Sequence, residues 1–380
     1  MDSTKDVPVA FILHAYQPIT QTEQIFERIV NKCYEPFFTK LLENPQIKIT
    51  LNMSGCLVEK LERDYPQIIY LVKKSISAGQ IEMMGSAYYH ALLPLLTKDE
   101  QNYQITKQQM IIQEVFNILP KSFFPPELAI SPTIFDSLTL NGFENIVVPS
   151  NVFLEPYGGI LKVSNDKTIS IIKRNKILSN SIAFNGYNNN SKRALKDILH
   201  AFQTSSIPVV LAMDLETFGE HHENYYNFFF ELMNELQSIQ LSELSRKYKI
   251  TEKIGILQST SWSTSDNQLK KGIHFPLWDH PQNIIHHLLH LHLELLRQIK
   301  QKVPLGSWLE DYHASFYSCQ FWWGSKEWWD KELVLTGLNF QRKTLEDIVE
   351  NLPESDKKMI INLSDNIIKR IKRSNLGKEK

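Results

Sequence analysis

Short apolar runs alternate with longer amphipathic stretches over the first two thirds of the chain. Val7 to Leu13, Ile47 to Met53, Ile81 to Met84, Asn145 to Pro149 and Ile207 to Met213 read as short buried strands. Ser170 to Lys173 is a further strand candidate. Between them, residues 22–43, 56–77, 98–118 and 192–204 have helical spacing, with a break predicted near Pro66. Pro125-Pro126 forbids a helix or a central strand, so Ser122 to Glu127 predicts a rigid turn at a strand end. Ser131-Pro132 starts a short helix that Gly142 closes. Residues 150–169 and 185–191 read as loops. From about residue 281 the pattern changes: 281–303, 307–323, 326–350 and 354–373 read as helices with no strand between them.

Strands alternating with helices predict an α/β protein with a mostly parallel sheet. The number of strands and the length of their connections suit a barrel better than an open Rossmann sheet, and there is no Gly-x-Gly-x-x-Gly or phosphate-binding loop. The expected organisation is a catalytic barrel over 1–275 and a helical subdomain over 276–380 that contributes to the cleft.

Composition narrows the partners. Hydrophobic residues make up 42% and charged residues 22%, as in an ordinary globular protein. A formal net charge of -1 gives no field for nucleic acid or an acidic membrane, and no run approaches a membrane span. The basic tail from Ile367 reads as a solvated helix end. Cys33, Cys56 and Cys319 are too few and too scattered for a disulfide framework or a zinc site. The start of the chain has no basic segment followed by a long apolar run, so a cytoplasmic protein without a signal peptide is expected.

The polar residues gather where the apolar runs end. Ile207 to His222 passes from a buried strand straight into Asp214, Glu216, Glu220, His221 and His222. Carboxylates at the end of a buried strand are costly unless they have partners or a purpose, and α/β proteins build sites at the C-terminal ends of strands. His14 to Pro18, Glu82 to His90 and Pro126-Glu127 are similar strand-end clusters, and Ser318 to Trp323 is an aromatic cluster in the helical region. Two carboxylates facing one cleft are the minimum for cleaving a glycosidic bond. One is ionised, and the other carries a proton for the leaving oxygen. Glu127 and Asp214 are candidates that only the tertiary fold can bring together.

These clusters resemble the five signatures of glycoside hydrolase family 57. His14-Ala15-Tyr16-Gln17-Pro18 is similar to the first, usually His-x-His-Gln-Pro. Gly79 to Gly85 resembles the second, Phe124 to Ala129 the third, Met213 to Gly219 the fourth, and Ser318 to Trp323 the fifth. All five occur in the family's order. The resemblance implies an incomplete (β/α)7 barrel with a C-terminal helical subdomain, and a retaining mechanism without cofactor or metal, mostly on α-linked glucose polymers. It implies Glu127 as nucleophile and Asp214 as general acid/base. His14, Gln17, Glu82 and Glu216 would hold sugar hydroxyls or orient the carboxylates, Tyr16 would lie close to the sugar, and Trp322 and Trp323 would help wall the cleft. Two departures bear on specificity: Tyr16 replaces the second His of the first signature, and the fifth signature carries no carboxylate.

Three alternatives remain open at this point. An α-galactosidase of the same family suits the chain's length. A metal-dependent carbohydrate deacetylase needs an Asp and two His, for which His14, His90 and His221 are the strand-end candidates. A sugar-binding relative without catalysis would not need both Glu127 and Asp214. His286, His287, His290 and His292 read as packed or solvated histidines rather than metal ligands. Oligosaccharide or polysaccharide is the expected partner, and the oligomeric state stays open.

Overall fold

A computed structural model of the chain describes residues 7–153, 159–162, 168–184, 186–248 and 257–374, with the backbone alone for 159–162. The segments predicted as loops around Gly158 and at Asn185, and the last residues of the basic tail, fall wholly or partly outside these. The described residues divide into two compact units. One comprises Met1–Gln17, Gln21–Tyr88 and Leu93–Trp262, and the other Pro18–Thr20, Tyr89–Leu92 and Ser263–Lys380.

The first unit is built on one curled sheet. Its strands are β1 (Pro8–Ala15), β2 (Ile49–Met53), β3 (Ile81–Gly85), β4 (Ser122–Phe123), β5 (Asn145–Val148), β6 (Gly159–Lys162), β7 (Thr168–Lys173), β8 (Val209–Asp214) and β9 (Gln237–Ile239). Their order is β6-β7-β5-β4-β3-β2-β1-β8, with β9 added beside β1. Every pairing is parallel except the β6–β7 hairpin at one edge. The sheet curls without closing by a ladder. The gap beyond β8 is bridged instead by single bonds, the Asn175 amide to the Val210 carbonyl and the Ala212 amide to the Ser179 hydroxyl. This is the incomplete (β/α)7 barrel that the strand pattern and the family resemblance implied.

Strand alternation decides which side chains face inward. Along β1, Val9, Phe11, Leu13 and Ala15 pack beneath the helices, while Ala10 and Ile12 join Met84, Val147, Ile172 and Ala212 on the concave face. His14 and Asp214 continue the concave set by parity.

Two of the predicted helices are interrupted. The stretch 22–43 is interrupted by a π-helical turn, Val30–Tyr34, between Glu23–Ile29 and Glu35–Glu43. Such turns add one residue to the helix and often re-aim side chains at functional sites. The stretch 307–323 is two short helices, Leu309–Ala314 and Cys319–Trp323, because residues 315–318 turn away between them.

Helices Ile284–Lys300, Lys331–Val349 and Glu354–Arg373 dominate the second unit. Two of its histidines are buried and hydrogen-bonded at both ring nitrogens. His292 bridges the Gln341 side-chain oxygen (2.8 Å) and the Ser364 hydroxyl (2.7 Å), and His286 spans the His280 amide and the Phe321 carbonyl (both 3.0 Å). Burial lowers their pKa values to about 4 and about 3. A histidine neutral when folded but protonated when unfolded removes stability as pH falls below about 6.5, by about 2 kcal/mol each at pH 5. Amide exchange in helix Ile284–Lys300, corrected for intrinsic rates, should therefore accelerate between pH 6.5 and 5. Unchanged protection over that range would show that the two sites do not hold this unit together. The local readout matters because buried carboxyls in the first unit titrate with the opposite sign.

Candidate active site

The site forms where the strands end. In register, His14 of β1 lies opposite Asn52 of β2 on one side and Asp214 of β8 on the other, and Asn52 lies opposite Met84 of β3. Parallel pairing thus collects residues from four distant segments into one row. His14 Nδ1 bonds Asn52 Oδ1 at 2.6 Å, and its ring stacks on Phe124 with centroids 4.5 Å apart. Burial lowers the His14 pKa to about 4, so the ring is neutral near pH 7.

Glu127 follows β4 on the Pro125-Pro126 turn. Its backbone lies in the left-handed region, φ 60° and ψ 18°, and Leu128 follows at φ 44°. Side chains rarely adopt this conformation, at a cost of about 1–3 kcal/mol, and it persists only where surroundings enforce it. Here the enforcing bonds are Leu128 N–H to the Pro125 carbonyl, Ala129 N–H to the Pro126 carbonyl, and Trp262 N–H to the Glu127 carbonyl. The Trp262 indole also donates to Glu127 Oε2 at 2.8 Å. Burial pushes the Glu127 carboxyl up to about 7 against that hydrogen bond.

Asp214 ends β8, at the strand end expected from the sequence. Burial, and then the charge of Glu127, push it up to about 7, while Arg174 pulls the other way.

Glu216 is a third buried acid, two residues further on. One oxygen, Oε1, accepts from the Gln17 side chain at 3.0 Å, from the Tyr16 amide at 3.3 Å and from the Tyr34 hydroxyl. Burial and the Asp214 charge raise its pKa to about 7, and the Tyr34 and Gln17 donors oppose the rise. The π-turn accounts for this arrangement. It delivers Tyr34 to Glu216, its Cys33 thiol reaches the Leu215 carbonyl at 3.2 Å, and its backbone presses on Gly219. A Cβ at position 219 would lie 2.2 Å from the Lys32 carbonyl oxygen and 2.6 Å from Cys33 Cα, so only glycine fits.

Of the candidates read from the sequence, the structure brings together His14, Tyr16, Gln17, Glu127, Asp214 and Glu216. Glu82 lies apart from this group. It lies two residues before Met84 on β3, towards the opposite ends of the strands. Its carboxylate accepts from Ser122 Oγ (2.7 Å) and from the Ser242 amide (3.0 Å) at the start of helix Leu241–Lys247. Both oxygens are occupied there, lining a separate polar cavity of about 700 Å³ with Lys121, Ser242 and Arg246. Trp322 and Trp323 belong to the second unit, where Trp322 stacks on Trp328 at 4.7 Å and Trp323 meets the Tyr317 ring edge-on. His90 also lies there, bonded to Ser318. Asn52, Tyr34, Arg174 and Trp262 were missed. Asn52, the polar residue near the end of an apolar run, was the one with a visible signal. Tyr34 hides in a helical pattern, and Arg174 and Trp262 stand outside every motif.

No three His, Cys, Asp or Glu side chains converge in a metal-holding arrangement among the described residues, and no described helix is long and apolar enough to cross a membrane. An incomplete parallel barrel with buried carboxyls at its strand ends is an arrangement on which acid/base chemistry can be built. The sequence model of glycosyl hydrolase family 57 matches residues 8–255, and the chain belongs to that family. An alpha-amylase from Pyrococcus horikoshii is 37% identical over 95 residues, 25% of this chain and 15% of that protein. A putative alpha-amylase from Methanocaldococcus jannaschii is 26% identical over 219 residues, 53% of this chain and 45% of that protein. The chain thus spans less than half the length of these curated relatives. Among solved structures, the 4-alpha-glucanotransferase of Thermococcus litoralis superposes with a TM-score of 0.73 at 18% identity, over 90% of this chain and 60% of that one. At such identity the likeness speaks for the fold.

Proposed function

We propose that the protein is a retaining glycosidase or transglycosidase acting on α-linked glucans, as an α-amylase or 4-α-glucanotransferase does, with Glu127 as nucleophile and Asp214 as general acid/base. The observation that carries this reading is a pair of buried carboxyls, Glu127 on a strained, doubly braced turn and Asp214 at a strand end, in the positions of the family's third and fourth signatures. A coupled pair near neutrality holds one proton between its members, the resting state that acid-assisted glycosyl transfer needs. The Trp262 donor favours the charge on Glu127, which leaves the proton on Asp214. Glu216, held by three donors on one oxygen, is placed to orient a sugar hydroxyl or Asp214. Neutral His14 and Gln17 complete the polar wall. Family membership and the names of the relatives support α-glucans as substrate, and the chemistry requires no cofactor. The three free thiols are consistent with a cytoplasmic placement.

The test is product analysis after incubation with maltooligosaccharides and with aryl α-glucosides and α-galactosides. New oligosaccharides or aryl release from glucosides, with α-configured first products by NMR, are expected. Release from galactosides alone would move the reading to an α-galactosidase, and β-configured first products would refute retention. Loss of activity in chelator, restored by one divalent ion, would favour a deacetylase-type site.

A further inference from the structure

Arg174 follows β7 and stands outside every sequence motif, yet it is only 5% exposed. Its Nη1 donates to the Ala212 carbonyl at 2.9 Å, two residues before Asp214 on β8. Its Nη2 donates to the Asn180 side chain at 2.7 Å. The guanidinium carbon lies 5.3 Å from the centre of the Trp262 ring, the ring whose indole holds Glu127. Its Nε has no hydrogen-bond partner. A buried cation answered by a carbonyl, an amide and a ring face, with its Nε left without a partner, is poorly compensated within the resting protein.

The reaction offers the missing compensation. In the first step the C1–O bond to the leaving group breaks as the bond from C1 to a Glu127 oxygen forms, and the leaving oxygen takes the Asp214 proton. Glu127 ends as a neutral ester and Asp214 as a carboxylate, so one negative charge passes from the first to the second. We propose that Arg174 is a positioning residue for this transfer. It braces the strand end carrying Asp214 and the ring holding Glu127, and it supplies the countercharge for the Asp214 carboxylate formed in the first step. The proposal rests on the glycosidase reading above. The charged groups acting on Asp214 are Glu127 after β4, Glu216 beyond β8 and Arg174 after β7. Among the described residues Arg174 is the cation acting on Asp214, and the direction of its influence agrees.

Three variants test it. Arg174→Met removes the charge at similar volume. Arg174→Gln also removes it but keeps an amide that reaches the Ala212 carbonyl. Arg174→Lys keeps the charge without the planar fork. The first readout needs no turnover: titration of carboxyl-labelled aspartates by 13C NMR, with Asp214 assigned by its absence in Asp214→Asn. The Asp214 midpoint should rise by about one pH unit or more in the Met and Gln proteins and stay near wild type in the Lys protein. The second readout is kcat/KM on maltooligosaccharides against pH, whose alkaline limb should move in the same direction. An Asp214 midpoint unchanged in either neutral variant that folds would overturn the proposal. If neither neutral variant folds, Arg174 is a structural brace and the proposal falls as well. A wild-type protein that leaves every glucan and aryl glycoside intact would instead remove the glycosidase reading, and the titration would still decide whether Arg174 acts on Asp214.

Discussion

Glu127→Gln is expected to lower turnover of maltooligosaccharides on the order of 10⁵-fold while leaving the fold intact. The amide matches the carboxylate in shape, and its oxygen can still accept the Trp262 indole N–H, so the turn after Pro126 keeps its brace. What it lacks is a nucleophilic oxygen. The same substitution should raise stability at alkaline pH. Burial raises the Glu127 pKa to about 7, above the usual carboxylate range. A carboxyl whose pKa is raised on folding stabilises the folded state below its unfolded pKa and loses that contribution as pH rises towards the folded one. By pH 8 the wild type bears a buried charge that the amide avoids, and the variant should be more stable by up to about 3 kcal/mol, with little difference at pH 4. Denaturant unfolding at the two pH values, beside product formation, checks both halves. Full activity in Glu127→Gln ends the nucleophile assignment, and a variant less stable than wild type at pH 8 contradicts the burial argument.

The second large effect separates the two steps of the reaction. Asp214→Asn cannot protonate a leaving oxygen, so maltooligosaccharides, which expel a sugar alkoxide, should react about 10²–10⁴-fold more slowly. An aryl glycoside with a dinitrophenol leaving group needs no proton, and its first step should stay within about tenfold of wild type. The second step then limits, because no base activates water. Azide, a nucleophile that needs no base, should restore turnover and give a glycosyl azide. Pre-steady-state release of dinitrophenol, with and without azide, reads each step. Equal slowing of both substrate types would show that Asp214 does not act as the acid.

Both effects depend on neighbours that no linear pattern announces. The apolar runs predicted β1, β2, β3, β5 and β8 to within about two residues, because a strand buried on both faces must be apolar throughout and must stop where polar residues begin. β9 lies in a stretch that carries no such run. The rigid Pro125-Pro126 turn was equally legible, since proline constrains the backbone locally. The positive φ of Glu127 was not, because bonds from Trp262, far along the chain, help to hold it.

The sequence by itself determined the strand–helix alternation and the positions of Glu127, Asp214, Glu216, His14 and Gln17 at strand ends, since periodicity and local chemistry are written residue by residue. Only the tertiary structure decided the rest. Parallel register aligned His14 with Asn52 and Asp214. One added residue in a helix turned Tyr34 onto Glu216. The packing of two remote segments set Arg174 against Trp262. The same register carried Glu82 away from the row, two residues below Met84, although its local pattern looked like that of a site residue. Depth along a strand and the partner across a gap are properties of pairing, and pairing is non-local.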